Sequence, residues 1–277
     1  MSEVCSSTVE VFDDVAYVYD GTLEGLLSSV FEAYINKEDP ADVVPAGLIQ
    51  LRLAQRIFSV STNWEYAERV RRGIIRKCGR RTFFQIAKAS VSSRADAGVS
   101  IYRFIRYAMD KHKGRSQAIS NISHPAVSHL FEITRSVDNE CEHIRQFARF
   151  EHLKDDGVQV WFAKVNPKDS VVPLVLGHFV ERFNVQPFII FDEVHGVAGV
   201  WDGIKKRLVQ TDSADILSVM PMRSATEIDM QEAWRTFYRS VSIDSRYNPE
   251  LRRHFMPMRF WRNITEMQID ETGLKKI

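Results

Sequence analysis

The sequence predicts an α+β protein, with a helical, basic front half (residues 1–145) and a back half (146–277) that joins an antiparallel sheet to helices and an aromatic, arginine-rich end. Three observations carry this reading. From Trp64 to Arg145 apolar residues recur every three or four positions, the period of a helix that buries one face. From Phe147 onward they come in short runs separated by glycine-containing turns, as strands do. Charge is also segregated, although the 277-residue chain carries only +1 overall. Residues 1–68 hold three basic and twelve acidic side chains, residues 69–115 hold fourteen and two, and residues 116–277 hold twenty and twenty-two. Neither an internal repeat nor a low-complexity linker divides the halves, so one compact unit stays open.

Taken in order, Ala16–Asp20 is a short apolar run that ends at Asp20-Gly21, and Thr22–Asn36 places Leu23, Leu26, Leu27, Val30, Phe31 and Tyr34 at helical spacing. Asp39–Pro45 interrupts with two prolines, and Ile57–Val60 reads as another strand before Thr62 and Asn63, both fit to cap a helix. Helices are expected at Trp64–Lys77, Thr82–Ser92, Ser100–Lys113 and Pro125–Arg145. Phe147–Leu153 and Val158–Val165 flank Lys154-Asp-Asp-Gly157 and predict a hairpin. A helix over Pro173–Phe183 follows, then three runs, Phe188–Asp192, Val197–Asp202 and Lys206–Thr211, that suit an antiparallel meander. Ser224-Ala-Thr-Glu227 has the form of a capping box, and Asn248-Pro249 opens a last helix that Pro257 should stop.

A hydrophobic content of 44% suits a chain that buries a core, and no apolar run approaches the roughly 20 residues of a membrane span. Met1–Glu10 lacks the features of a secretion signal, so a cytoplasmic protein without membrane contact is expected. Cys5, Cys78 and Cys141 are odd in number and far apart, which fits reduced thiols rather than disulfides or a metal knuckle. Neither a glycine-rich phosphate loop nor a Ser-His-Asp or Cys-His signature occurs, and no cofactor is expected.

The basic segment is the first candidate site. On a wheel drawn through Trp64–Arg81, Arg69, Arg72, Arg76 and Arg80 share an arc apart from the apolar Ala67, Val70 and Ile74. Ser100–Lys113 repeats this, with Ile101, Phe104, Ile105, Ala108 and Met109 inward and Arg103, Arg106 and Lys113 outward. Two such faces suit a phosphate backbone, and DNA bound without sequence preference is the expected partner. The plain alternative is that the acids of residues 1–68 neutralise these arginines within the fold.

Other polar groups bear on catalysis. Glu140 and His143 have Glu-x-x-His spacing, but a metal site of that kind needs further carboxylates, and none is expected here. His178 and Arg182 lie one turn apart, opposite Leu176, Phe179, Val180 and Phe183. Histidine titrates near neutrality and arginine can hold an anion, so His143 or His178 as acid–base group with Arg149 or Arg182 as clamp defines an enzyme reading. Asp192 and Asp202 read as turn formers. Toward the end, Trp234, Phe237, Tyr238, Arg246, Arg259, Phe260 and Trp261 interleave aromatic rings with guanidinium groups, which suits either exposed bases or a core with an ion-paired rim; for the tryptophans the core is expected.

Four motifs give the chain a family likeness: Tyr19-Asp-Gly-Thr-Leu-Glu-Gly-Leu-Leu27; Val137-Asp-Asn-Glu-Cys-Glu-His143 leading to Phe147-Ala-Arg149-Phe150; Pro173-Leu-Val-Leu-Gly-His178-Phe-Val-Glu-Arg182-Phe183; and the segment from Arg246 to Trp261. Over nearly its whole length the chain resembles the bacterial "probable DNA metabolism protein" family, departing from it at Asn63 and near Arg253. The resemblance implies a role in DNA modification or repair beside a radical S-adenosylmethionine protein and a uracil-DNA-glycosylase-like protein. It supplies no settled catalytic residues. The resulting expectation is a DNA-binding accessory component with Arg69, Arg72, Arg76, Arg80, Arg103 and Arg106 on phosphates, and with Arg246, Arg259 and Trp261 on an exposed base or a partner protein. The alternatives are the enzyme above and a protein-interaction subunit that never touches nucleic acid.

Overall fold

The computed structural model describes residues 14–50, 52, 55–110, 117–155 and 158–268. The chain forms two compact units, Met1–Arg135 and Ser136–Ile277. Helices and strands are mixed, as an α+β class requires.

In the first unit β1 (Val15–Tyr19) is the middle strand of a three-stranded parallel sheet, between β2 (Asp42–Pro45) and β3 (Arg56–Ser59). A central parallel strand is covered on both faces, so the run is apolar throughout. Ala16, Tyr17 and Tyr19 are all buried, and burial pushes the two tyrosine hydroxyls up to about 12. Strand β2 was not expected, because two prolines mask it. Pro45 stands at its end, and its four residues acquire strand form only by pairing with β1, Val43 opposite Tyr17.

Helix α1 (Leu23–Asn36) starts where Thr22 Oγ1 accepts from the Gly25 amide at 2.9 Å, and α2 (Trp64–Cys78) starts where Asn63 Oδ1 accepts from Glu65 and Tyr66. The chain continues through α3 (Arg80–Ala89), α4 (Ala97–Asp110), α5 (Gln117–Ser120) and α6 (Pro125–Phe147). Lys113, expected at the end of the helix that is α4, lies outside the described residues. One core joins Tyr17, Leu26, Ile74, Ile86, Phe104, Ile105 and Leu130, each worth about 2 kcal/mol of burial. Gly98 brings α4 directly onto β2: a Cβ there would stand 2.2 Å from the carbonyl oxygen of Val43.

The second unit is a five-stranded sheet in the order β4 (Glu151–Asp155), β5 (Val158–Val165), β6 (Phe188–Asp192), β7 (Val197–Trp201), β8 (Lys206–Gln210). The hairpin and the meander are antiparallel as expected, while β5 and β6 run parallel because α7 (Val172–Phe183) carries the chain back between them. The hairpin residues Asp156 and Gly157 lie outside the described residues. Phe147, expected at the start of a strand, instead ends α6, and Phe150 packs against Phe179, Phe183 and Phe188. Helix α7 sits on β7 at Gly199, where a Cβ would stand 3.0 Å from the side chains of both Val172 and Leu176, a tight contact. The opposite face buries Leu153, Phe162, Phe191 and Ala198 with Ile216 of α8 (Ser213–Val219).

Beyond the sheet lie α9 (Ala225–Val241), α10 (Pro249–Phe255) and short 3-10 turns at Met258–Asn263 and Thr265–Met267. Only half of the expected capping box forms. Ser224 caps α9 by accepting from Glu227 N, but the Glu227 carboxylate turns to the amide of His152 at 3.1 Å. Asn248 caps α10 as expected. Cys78 and Cys141 are free and buried, and Cys5 lies outside the described residues. No described helix is long and apolar enough to cross a membrane.

Candidate nucleic-acid interface

Helix α2 turns Ala67, Ile74 and Cys78 into the core, which leaves Arg69, Arg72 and Arg76 on the far side, exposed. Arg80 belongs to a different helix. Gly79, at φ 90°, ends α2 in a backbone region that favours glycine, so Arg80 opens α3 instead of extending the α2 stripe. Arg103 is exposed on α4, whereas Arg106, expected beside it, turns toward aromatic rings. Its guanidinium lies 4.6 Å from the Tyr34 ring centroid and donates to the Tyr102 hydroxyl at 3.0 Å.

The acids of the front segment mostly find other partners. Glu38 binds Arg56 and Tyr17, Asp42 binds Arg52, and Asp20 accepts from Thr22 and from Thr62. Among the described residues, Glu68 alone reaches the stripe. Hydrogen bonds from Arg71 and Arg72 pull its carboxyl down to about 2, yet the Arg72 side chain stays 76% exposed. Arg69 lies over the Phe31 ring, and Arg76, Arg80, Arg81 and Arg103 make no ion pair with any described residue. Their positive charge therefore faces water uncompensated by any described carboxylate. Lys77, also on α2, donates instead to the Met109 carbonyl at the end of α4.

In the second unit the expected residues divide into three places. Glu140 is buried and holds three groups: Arg259 Nη2 at 2.5 Å, the Lys168 amide at 2.6 Å and His143 Nδ1 at 3.4 Å. Arg259 thus supplies the cation that the Glu140 carboxylate faces, and no cluster of three ligand-type side chains occurs among the described residues. Arg149 donates to Glu266 at 2.9 Å and to the Gln146 carbonyl at the end of α6, so it is a strut. His178 and Arg182 are exposed together on α7, away from its buried Leu176 and Phe179, and no hydrogen bond or ion pair joins them to His143 or Arg149 among the described residues.

Arg246 is exposed. The Trp261 indole donates to the Met256 carbonyl at 3.0 Å. Trp234 is not a core residue: its indole N–H reaches Glu266 while the ring stays 44% exposed. Asp192 and Asp202 do form turns, each accepting from two following amides. Sequence reasoning missed Arg252, which lies between the rings of Tyr247 and Trp261 at 5.0 and 5.4 Å. It missed the pair of Asp192 with His195 at 2.6 Å as well, although Asp192-x-x-His195 spacing is visible. It also missed Phe84, whose signal is its displacement from the Thr82, Ile86 and Ala89 line of α3.

Fold and surface together define an α+β protein with an open cationic helix face on its first unit. Residues 95–266 match the sequence model of a domain of unknown function, DUF4130, and the chain belongs to that family. No curated protein matches it. The matched segment begins just before α4, so α2 and α3 stand outside it.

Proposed function

We propose that this protein is a DNA-binding accessory component of a bacterial DNA modification or repair system, working in the cytoplasm beside a radical S-adenosylmethionine protein and a uracil-DNA-glycosylase-like protein. One observation carries the DNA part: Arg69, Arg76, Arg80 and Arg103 reach solvent with no carboxylate set against them among the described residues. The likeness to the DNA-metabolism family supplies the partner proteins. Arg69, Arg72, Arg76, Arg80 and Arg103 contact phosphates, and Arg246 contacts an exposed base or the partner. Arg106, Arg259 and Trp261 act by positioning, because the hydrogen bonds and ring contacts described above already engage them.

Contacts of this kind release counterions, so DNA affinity falls steeply with salt. The triple change Arg69→Gln, Arg72→Gln, Arg76→Gln should make the slope of log affinity against log salt shallower by about 2 to 3, roughly one for each phosphate deprived of its arginine. Fluorescence anisotropy on a labelled oligonucleotide measures this. Binding that is absent, indifferent to salt or unchanged in the triple variant removes the proposal.

A further inference from the structure

We infer that the cationic face takes single-stranded nucleic acid in preference to duplex, with Phe84 as the platform on which a base stacks; the inference rests on the nucleic-acid reading above. Helix α3 buries Thr82, Ile86 and Ala89. The residues left on its other side are Arg80, Arg81, Phe84, Ala87 and Lys88, so one aromatic ring stands among three cations. That ring is 54% exposed, and the Lys88 ammonium sits 5.4 Å from its centroid. On a helix whose opposite side is well buried, a phenylalanine turned outward forgoes the burial open to its neighbours Ile86 and Ala89.

Three ligand classes can be compared on this face. A protein helix would need a run of aliphatic side chains beside Phe84, whereas three of the four positions one turn away, Arg80, Arg81 and Lys88, carry charge and the fourth is the small Ala87. A duplex offers phosphates to the arginines but keeps its base faces stacked inside, where an exposed ring cannot reach them. A single strand presents both features together, a charged backbone and free base faces, which is the pairing of cationic track and aromatic platform that such proteins use. Arg76 in the last turn of α2 and Arg80 at the start of α3 stand on either side of the Gly79 corner, four residues apart in the chain, so the phosphate track leads toward the ring.

The experiment compares a labelled oligothymidylate with a hairpin duplex of the same phosphate number, for the full chain and its Phe84→Ala and Phe84→Trp variants. The wild-type protein should favour the oligothymidylate. Phe84→Ala should weaken that complex by about tenfold while altering hairpin affinity by less than about twofold, and Phe84→Trp should restore the preference. Being a surface change, Phe84→Ala should leave the circular dichroism spectrum as it was. If Phe84→Ala weakens both ligands equally or neither, while binding still falls with salt, the stacking inference is wrong and the phosphate-face reading stands. If the wild-type protein binds neither ligand, both fall.

Discussion

The second unit and the α2–α3 face of the first unit use arginine in opposite ways. In the second unit, arginines reach carboxylates far along the chain: Arg149 to Glu266, Arg259 to Glu140, Arg223 to Glu151 and Arg262 to Glu193. In the first, α2 and α3 crowd their arginines so closely that one glutamate, Glu68, serves two of them and the rest face water. Like charges repeated at helical spacing cannot pair with each other, and the nearby acids are held by Arg52, by Arg56 of β3 and by hydroxyl groups. Interspersed charge is consumed in building a fold, whereas segregated charge remains available to a ligand.

The sharpest way to break that contrast is to remove one arginine from each unit. Arg259→Ala should cost about 3 kcal/mol, because it leaves the buried Glu140 carboxylate short of its cation, whereas Arg76→Ala should stay within about 0.5 kcal/mol. Urea denaturation of the two variants measures both, and equal losses would mean that the units do not differ in this way. The first unit's stability should depend instead on close packing. Gly98→Ala forces a Cβ against the Val43 carbonyl and should destabilise by about 2 kcal/mol, a loss that hydrogen exchange would locate in β2 and α4.

Smaller again, Asn63→Ala removes the cap of α2 and should cost about 1 kcal/mol, read as faster exchange in the first turn of that helix. The least effect concerns pH. Burial pushes the Glu266 carboxyl up, but hydrogen bonds from Arg149 and from the Trp234 indole outweigh it and hold the group below the ordinary value of 4.5. A depressed carboxyl stabilises the fold above that ordinary value, and the contribution disappears as pH falls below it. Glu266→Gln should therefore flatten the acid side of the stability profile, and an unaltered profile would show that the Arg149 strut carries no net energy.

Periodicity was enough to place α2, α4, α6, α7 and the strands β5 to β8 within a few residues, because in each the buried positions repeat at the interval of the element itself. Capping at Asn63, Ser224 and Asn248 was equally readable, since a cap joins residues two or three apart. Strand β2 was not, as its form comes from a partner more than twenty residues away. The candidate site divides along the same line. Segregated charge marked the α2 stripe, yet whether it would be neutralised depended on where Glu38, Asp42 and Asp20 would find partners.

Local patterning in this chain set which segments are helix or strand, where most of them begin, and that positive charge gathers on two helical faces, because those properties involve neighbours within a turn or two. Long-range packing chose the pairs: Glu140 with Arg259, Glu266 with Arg149, Arg106 with Tyr34, and Phe84 left outside. A side chain's partner depends on which distant backbone brings an acceptor within about 3 Å, and that distance exists only once the chain has closed on itself.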